Sequence, residues 1–125
     1  MPPSTLRAML GSGPLVLMVH GFPESWYSWR HQIDPIAEAG FTACAIDVRG
    51  YGGSDKPPAV ADYSLEKITA DVAGVIEALS PDGTVKKIDK LVLMDVANTP
   101  DVPVDPRVEV VTGEIFDTAL IKRLI

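Results

Sequence analysis

Residues 15–19, Leu-Val-Leu-Met-Val, form an uninterrupted apolar run that stops at His20-Gly21. A run that is apolar on both faces predicts a central strand of a parallel sheet, covered on either side. Trp26, Trp29, Ile33 and Ile36 follow at spacings of three, four and three, which places them on one helical face. Pro35 should kink that helix or begin a new turn, and Gly40 stands where a glycine ends one. Residues 41–48 read as a second strand, apolar until Asp47, and residues 49–58 are turn and loop chemistry throughout. Ser64 is placed to cap a second helix with an apolar stripe of Leu65, Ile68, Val72, Val75, Ile76 and Leu79. Pro81-Asp82-Gly83 closes it. A third buried strand, 91–94, ends at Asp95. Pro100, Pro103 and Pro106 then stiffen a surface connection. Residues 108–111 are a fourth strand, and Asp117 can cap a final helix over 118–125.

The resulting order, β-α-β-α-β-β-α, contains no internal repeat. Helical crossovers between buried strands predict a parallel α/β sheet. The expected fold is one α/β domain over residues 1–125. Its small open sheet of four strands, numbered along the chain, runs in the order 2-1-3-4 with flanking helices, Rossmann- or flavodoxin-like. The chain would reverse direction between strands 15–19 and 91–94, and a ligand should sit outside their carboxyl ends. His20, Asp47 and Asp95 should line that edge. Strands 41–48 and 108–111 would then be open edges, so self-association is the expected partnership.

Composition narrows the function classes. Of 125 residues, 46% are apolar and 22% charged, enough for a packed core. Eleven Lys and Arg against 17 Asp and Glu leave a net charge of -6, which argues against a nucleic-acid partner. Lys86, Lys87 and Lys90 make too small a basic cluster to change that. The single cysteine, Cys44, excludes an internal disulfide and reads as a small buried hydrophobe between Ala43 and Ala45. Two histidines do not make a zinc site, so no metal is expected. The start of the chain lacks the pattern of a signal peptide and no apolar run is long enough for a membrane, which predicts a cytoplasmic protein. Residues 1–12 carry no pattern that assigns them a role.

Two segments carry a recognisable likeness. His20-Gly21-Phe22-Pro23-Glu24-Ser25-Trp26, together with Asp47-Val48-Arg49-Gly50-Tyr51-Gly52-Gly53-Ser54-Asp55-Lys56-Pro57, closely resembles the α/β-hydrolase family, in its epoxide-hydrolase branch, over residues 13–79. The resemblance implies that the turn His20, Gly21, Phe22, Pro23 follows a central strand. It also implies that the backbone amide of Phe22 polarises the reacting oxygen, a donor held in place before charge develops. Active members of the family further require a nucleophile on a strand-to-helix elbow, an acid and a histidine base. In the epoxide-hydrolase branch the nucleophile is an aspartate. Here Asp95 has the right type at about the right place, but Leu93 stands where the elbow needs a glycine, and no histidine follows His31.

Residues 82–125 change character. Lys90-Leu91-Val92-Leu93-Met94-Asp95-Val96 and Pro106-Arg107-Val108-Glu109-Val110-Val111-Thr112-Gly113-Glu114-Ile115 look like the second and third strands of a Rossmann nucleotide-sugar epimerase or extended short-chain dehydrogenase. That resemblance implies adenosine contacts at Asp95 and Glu114. The bulky turn His20-Gly21-Phe22-Pro23 takes the place of the glycine-rich phosphate turn, so no cofactor is expected.

The leading expectation is therefore an engineered or recombined α/β scaffold without catalysis, its halves 1–80 and 81–125. The alternatives are a weak hydrolase of epoxides or activated esters, using Asp95 and the Phe22 turn, and an adenine-dinucleotide binder using Asp95 and Glu114. His20 is read as a residue that fixes its own turn. Asp47 and Arg49 are read as a loop-ordering ion pair joined by Asp55, His31 and Asp34 as a solvated pair, and Trp26 and Trp29 as core contacts.

Overall fold

The computed structural model describes residues 7–79, 91–95, 106 and 108–112. The turn at 81–83, the lysine cluster, the connection at 96–105, Glu114 and the helix expected over 118–125 lie outside the described residues. The described strands form two hydrogen-bonded sheets. The first has the order β1-β3-β2, with β1 Arg7–Leu10, β2 Leu15–Val19 and β3 Thr42–Ile46. The second pairs β4 Leu91–Asp95 with β5 Val108–Thr112 in parallel, Asp95 opposite Thr112.

Two of the three neighbour relations in the expected order hold, since β2 pairs parallel with β3 and β4 with β5, while the third, β2 beside β4, is not among the pairings of the described residues. A single four-stranded order does not describe the sheets. β1 was not anticipated. It runs antiparallel along β3 with Ala8 opposite Ala45, so residues 41–48, expected at an open edge, lie in the middle of their sheet. Four residues rather than a long apolar run suffice for an edge strand, which leaves little pattern to read. The chain passes from β1 to β2 across the start of β3, and this crossing explains the glycines before Pro14. A Cβ at Gly13 (φ +116°) would come 2.1 Å from the Gly40 carbonyl oxygen, and one at Gly11 (φ +90°) 2.5 Å from that of Phe41.

Alternation along β3 splits the core. Ala43 and Ala45 face Met18, Ile33 and Ile36, with Trp26, Trp29 and Phe41 packed around them. Cys44 and Ile46 face Val75, flanked by Leu15, Leu17, Val72 and Leu79. Helical elements thus cover both faces, as a doubly covered strand requires. The small alanines let the helix on their side sit close.

The aromatic stripe belongs to two elements rather than one. Trp26–Trp29 is a 3-10 turn and α1 spans Ile33–Glu38. Pro35 explains the break. It has no N–H to give and would clash inside a continuous helix, but it is accommodated in the first turn, and α1 starts two residues before it. All four residues still join one core cluster, so the periodicity identified the face correctly. Gly40 (φ +94°) ends α1: its N–H bonds to the Ala37 carbonyl, and the Phe41 N–H bonds to that of Ile36. The second long helix, α2, spans Leu65–Leu79 and is capped as expected, the Ser64 hydroxyl accepting from the Lys67 N–H at 3.3 Å. Leu65, expected in its buried stripe, is 79% exposed at the first position of the helix.

Candidate active site

The parallel register of β2 and β3, Val19 opposite Ile46, brings the next residues, His20 and Asp47, side by side at the carboxyl ends of the strands. Both are buried. The Val48 N–H donates to His20 Nε2 at 2.9 Å, which makes Nε2 an acceptor. His20 Nδ1 lies 2.7 Å from the Gly21 carbonyl oxygen and is therefore the protonated nitrogen of a neutral ring. Tyr51 meets the ring edge-on, the centroids 5.0 Å apart. With both nitrogens committed, His20 fixes its turn, as read from the sequence.

The turn itself is exposed. Phe22 is 85% exposed and the Phe22–Pro23 peptide is cis. Gly21 is held on both sides, its N–H donating to Glu24 Oε2 at 3.0 Å and its carbonyl accepting from His20. Among the described residues nothing accepts from the Phe22 N–H.

Asp47, only 1% exposed, ties the two strand-end loops together. Its Oδ1 accepts from the Trp26 N–H at 2.8 Å and its Oδ2 from the Gly53 N–H at 3.0 Å, while its main-chain carbonyl accepts from the Ser54 hydroxyl at 2.6 Å. The carboxylate reaches so far into the loop that a Cβ at Gly52 (φ +50°) would come 2.1 Å from Oδ2. The expected ion pair between Asp47 and Arg49 is thus corrected: Asp47 is occupied by backbone amides. Arg49 instead makes a two-pronged bridge to Asp71 of α2, with both N–O distances 2.8 Å, and donates a third bond to the Asp62 carbonyl. Both side chains of that bridge are only 9% exposed. The hydrogen bonds to Asp71 hold the Arg49 guanidinium above its ordinary pKa, against the opposing effect of burial. Asp62 is in turn held below the usual carboxylate range, chiefly by its hydrogen bond from Lys67.

Asp71, Glu24 and Ser54 had no role in the sequence reading. A signal existed for Asp71, which interrupts the apolar stripe between Ile68 and Val75 at helical spacing. No periodicity could have marked Glu24 or Ser54, because each acts through a turn. Trp26 and Trp29 pack on the core as expected, and His31 is exposed ahead of α1. Asp95 ends β4, at the close of a strand as anticipated. Among the described residues no group of three or more His, Cys, Asp or Glu could hold a metal ion, and no helix is long and apolar enough to cross a membrane.

This strand end combines a buried histidine, a turn whose Phe22 N–H has no acceptor among the described residues, and a sheet covered on both faces. The family model described as alpha/beta hydrolase fold matches residues 14–88, and the chain belongs to that family. It is 50% identical over 70 residues to bifunctional epoxide hydrolase 2 of Sus scrofa, a match covering 56% of this chain and 13% of that protein. It is 53% identical over 66 residues to epoxide hydrolase B of Mycobacterium tuberculosis, covering 53% of this chain and 18% of that one. Among solved structures, an epoxide hydrolase from an endophytic Streptomyces matches with a TM-score of 0.59 and 56% identity, covering 60% of this chain and 23% of that one. The epoxide hydrolase of Vigna radiata matches with a TM-score of 0.63 and 36% identity, covering 74% and 28%. The chain spans well under a third of the length of these relatives.

These matches overturn the expectation of a non-catalytic scaffold recombined from two families. The family match runs to residue 88, past the junction expected between residues 79 and 83, and the epimerase-like reading of residues 81–125 finds no support. The missing elbow and base had weighed against an enzyme. The elbow position, Leu93, lies outside the segment that matches, so its residue does not bear on what that segment is.

Proposed function

We propose that this chain carries part of the site of a hydrolase that opens epoxides. The reading is carried by the Phe22 amide, a donor without an acceptor among the described residues on a turn braced at both flanks, in a segment about half identical to proteins named as epoxide hydrolases. Such a donor stabilises negative oxygen without reorganising as the charge forms.

In the proposed reaction a carboxylate oxygen of Asp95 attacks a ring carbon of the epoxide. The ring C–O bond breaks, its oxygen takes a proton from water, and an ester to Asp95 remains. Water then attacks the ester carbonyl, giving its proton to the hydroxide left by the first step, and the carbonyl oxygen becomes the oxyanion that the Phe22 N–H stabilises. Collapse expels the diol and restores the carboxylate. Asp95 is assigned by its residue type and its place at the end of β4. His20 is not the base, since both its nitrogens are engaged. Ester breakdown in this chain should accordingly lag behind ester formation, and the ester is the species to look for.

The test is incubation of the full chain with an aryl epoxide, followed by intact mass and peptide mapping. The expected result is one added epoxide mass on Asp95, lost in Asp95→Asn. Neither adduct nor diol above the uncatalysed background would overturn the proposal.

A further inference from the structure

The Gly21–Phe22 peptide supplies both the carbonyl that His20 holds and the N–H that faces outward. In a trans peptide these two groups lie in one plane and point in opposite directions. Gly21, without a Cβ, leaves that plane free to rotate. The plane is therefore set by whatever grips its carbonyl, and that group is the buried imidazole, at 2.7 Å from Nδ1. The imidazole is itself immobilised by the Val48 N–H at Nε2 and by the edge contact with Tyr51. Glu24 holds the preceding N–H, which keeps the neighbouring peptide from turning in its place.

We infer that His20 is a positioning residue for the Phe22 amide: as the neutral Nδ1–H tautomer it pins the Gly21 carbonyl and so aims the Phe22 N–H at the reacting oxygen. This deepens the proposed function and rests on it for the identity of that oxygen. It goes beyond a turn-stabilising role, because it assigns the two ring nitrogens separate tasks. Nε2 anchors the ring to β3 and Nδ1 orients the donor.

Two substitutions separate these tasks. The side-chain amide of His20→Asn occupies the Nδ1 position and can still donate to Gly21, but it does not reach Val48. That of His20→Gln reaches Val48 with its oxygen but places no donor at Nδ1. Each variant loses one hydrogen bond, so a merely structural role would slow ester breakdown alike in both. Loss of a whole oxyanion donor costs about 10²–10³-fold in rate. Misaiming one should therefore slow ester breakdown by roughly 10–100-fold in His20→Gln, with a much smaller loss in His20→Asn. Equal losses, or the reverse order, in folded variants would overturn the inference.

Two NMR readouts are independent of activity. Long-range ¹H–¹⁵N spectra of the wild-type ring should show the Nδ1–H tautomer, and an Nε2–H ring would sink the inference even if neither variant folds. The residual dipolar coupling of the Phe22 N–H should change in His20→Gln and stay near wild type in His20→Asn. If the wild type forms no adduct while tautomer and couplings behave as stated, the proposed function fails and the orienting role of His20 stands.

Discussion

Replacing Asp47 should expose how much of the site depends on one carboxylate. In Asp47→Ala the N–H groups of Trp26 and Gly53 lose their acceptors, at 2.8 Å and 3.0 Å in the wild type. Leaving a buried donor unsatisfied costs about 1–3 kcal/mol. Both amides are only partly buried, so the loss should lie in the lower part of the combined range, about 2–4 kcal/mol. Asp47→Asn keeps one acceptor oxygen and should cost about half as much. The Ser54 hydroxyl bonds to the main-chain carbonyl of Asp47 and is untouched by either change, which makes it an internal control. With a urea dependence near 2 kcal/mol per molar, the midpoint should fall by about 1–2 M in the alanine variant. Amide exchange gives the local readout: both Trp26 and Gly53 lose protection in Asp47→Ala, and one of the two keeps it in Asp47→Asn. Unchanged exchange at both amides, or midpoints within about 0.3 M of wild type, would refute the assignment of Asp47 as the clasp between the loops.

Two further outcomes follow from the same structure. Gly52→Ala should destabilise by about 1–2 kcal/mol or more, because φ is +50° and the added methyl would meet the Asp47 carboxylate, whereas Gly74→Ala, in the middle of α2 with nothing within 4 Å, should stabilise by about 0.5–1 kcal/mol; thermal melts of the two variants should move in opposite directions. Asp62 is held below its ordinary pKa by Lys67, so its contribution is present above the usual carboxylate range and is lost as pH falls through the depressed value. The gap in melting temperature between wild type and Lys67→Met should therefore be widest near neutrality and close in acid, and a gap independent of pH would show that the pair contributes nothing through charge.

Much of this architecture is legible in one dimension because burial imposes local periods. Residues 15–19 and 41–48 are apolar on both faces because helical elements cover both sides of their sheet. Ser64 marks the start of α2 because the orphan amides of a first turn need an acceptor. The four-residue edge strand β1 escaped notice because so short a segment, paired on one side, has no period to display. The division at Pro35 was visible as a choice between kink and new turn, and the missing proline N–H decided it. The likeness of residues 13–79 to hydrolases was carried by two loop motifs, where residue identity is demanded by turn geometry and by amide acceptors. The recombined origin failed for the opposite reason: buried strands that end in an acid are a general feature of parallel sheets and identify no family.

By itself the sequence determined strands β2 and β3 with their parallel pairing, the helix α2 and the turn at 20–23, all of which follow from short-range sterics and alternation. Only the tertiary structure decided who holds whom. Arg49 could have paired with Asp47, two residues away, or with Asp71, twenty-two away, and separation along the chain gave no means of choosing. Folding β3 against α2 put Asp71 beside the guanidinium and left Asp47 to accept from the backbone amides of Trp26 and Gly53. The register of β2 beside β3 likewise set His20 against Val48, and with it the tautomer that holds the Gly21 carbonyl. Hydrogen-bond partners are settled by proximity in space and by the cost of leaving buried groups unpaired, and neither is written along the chain.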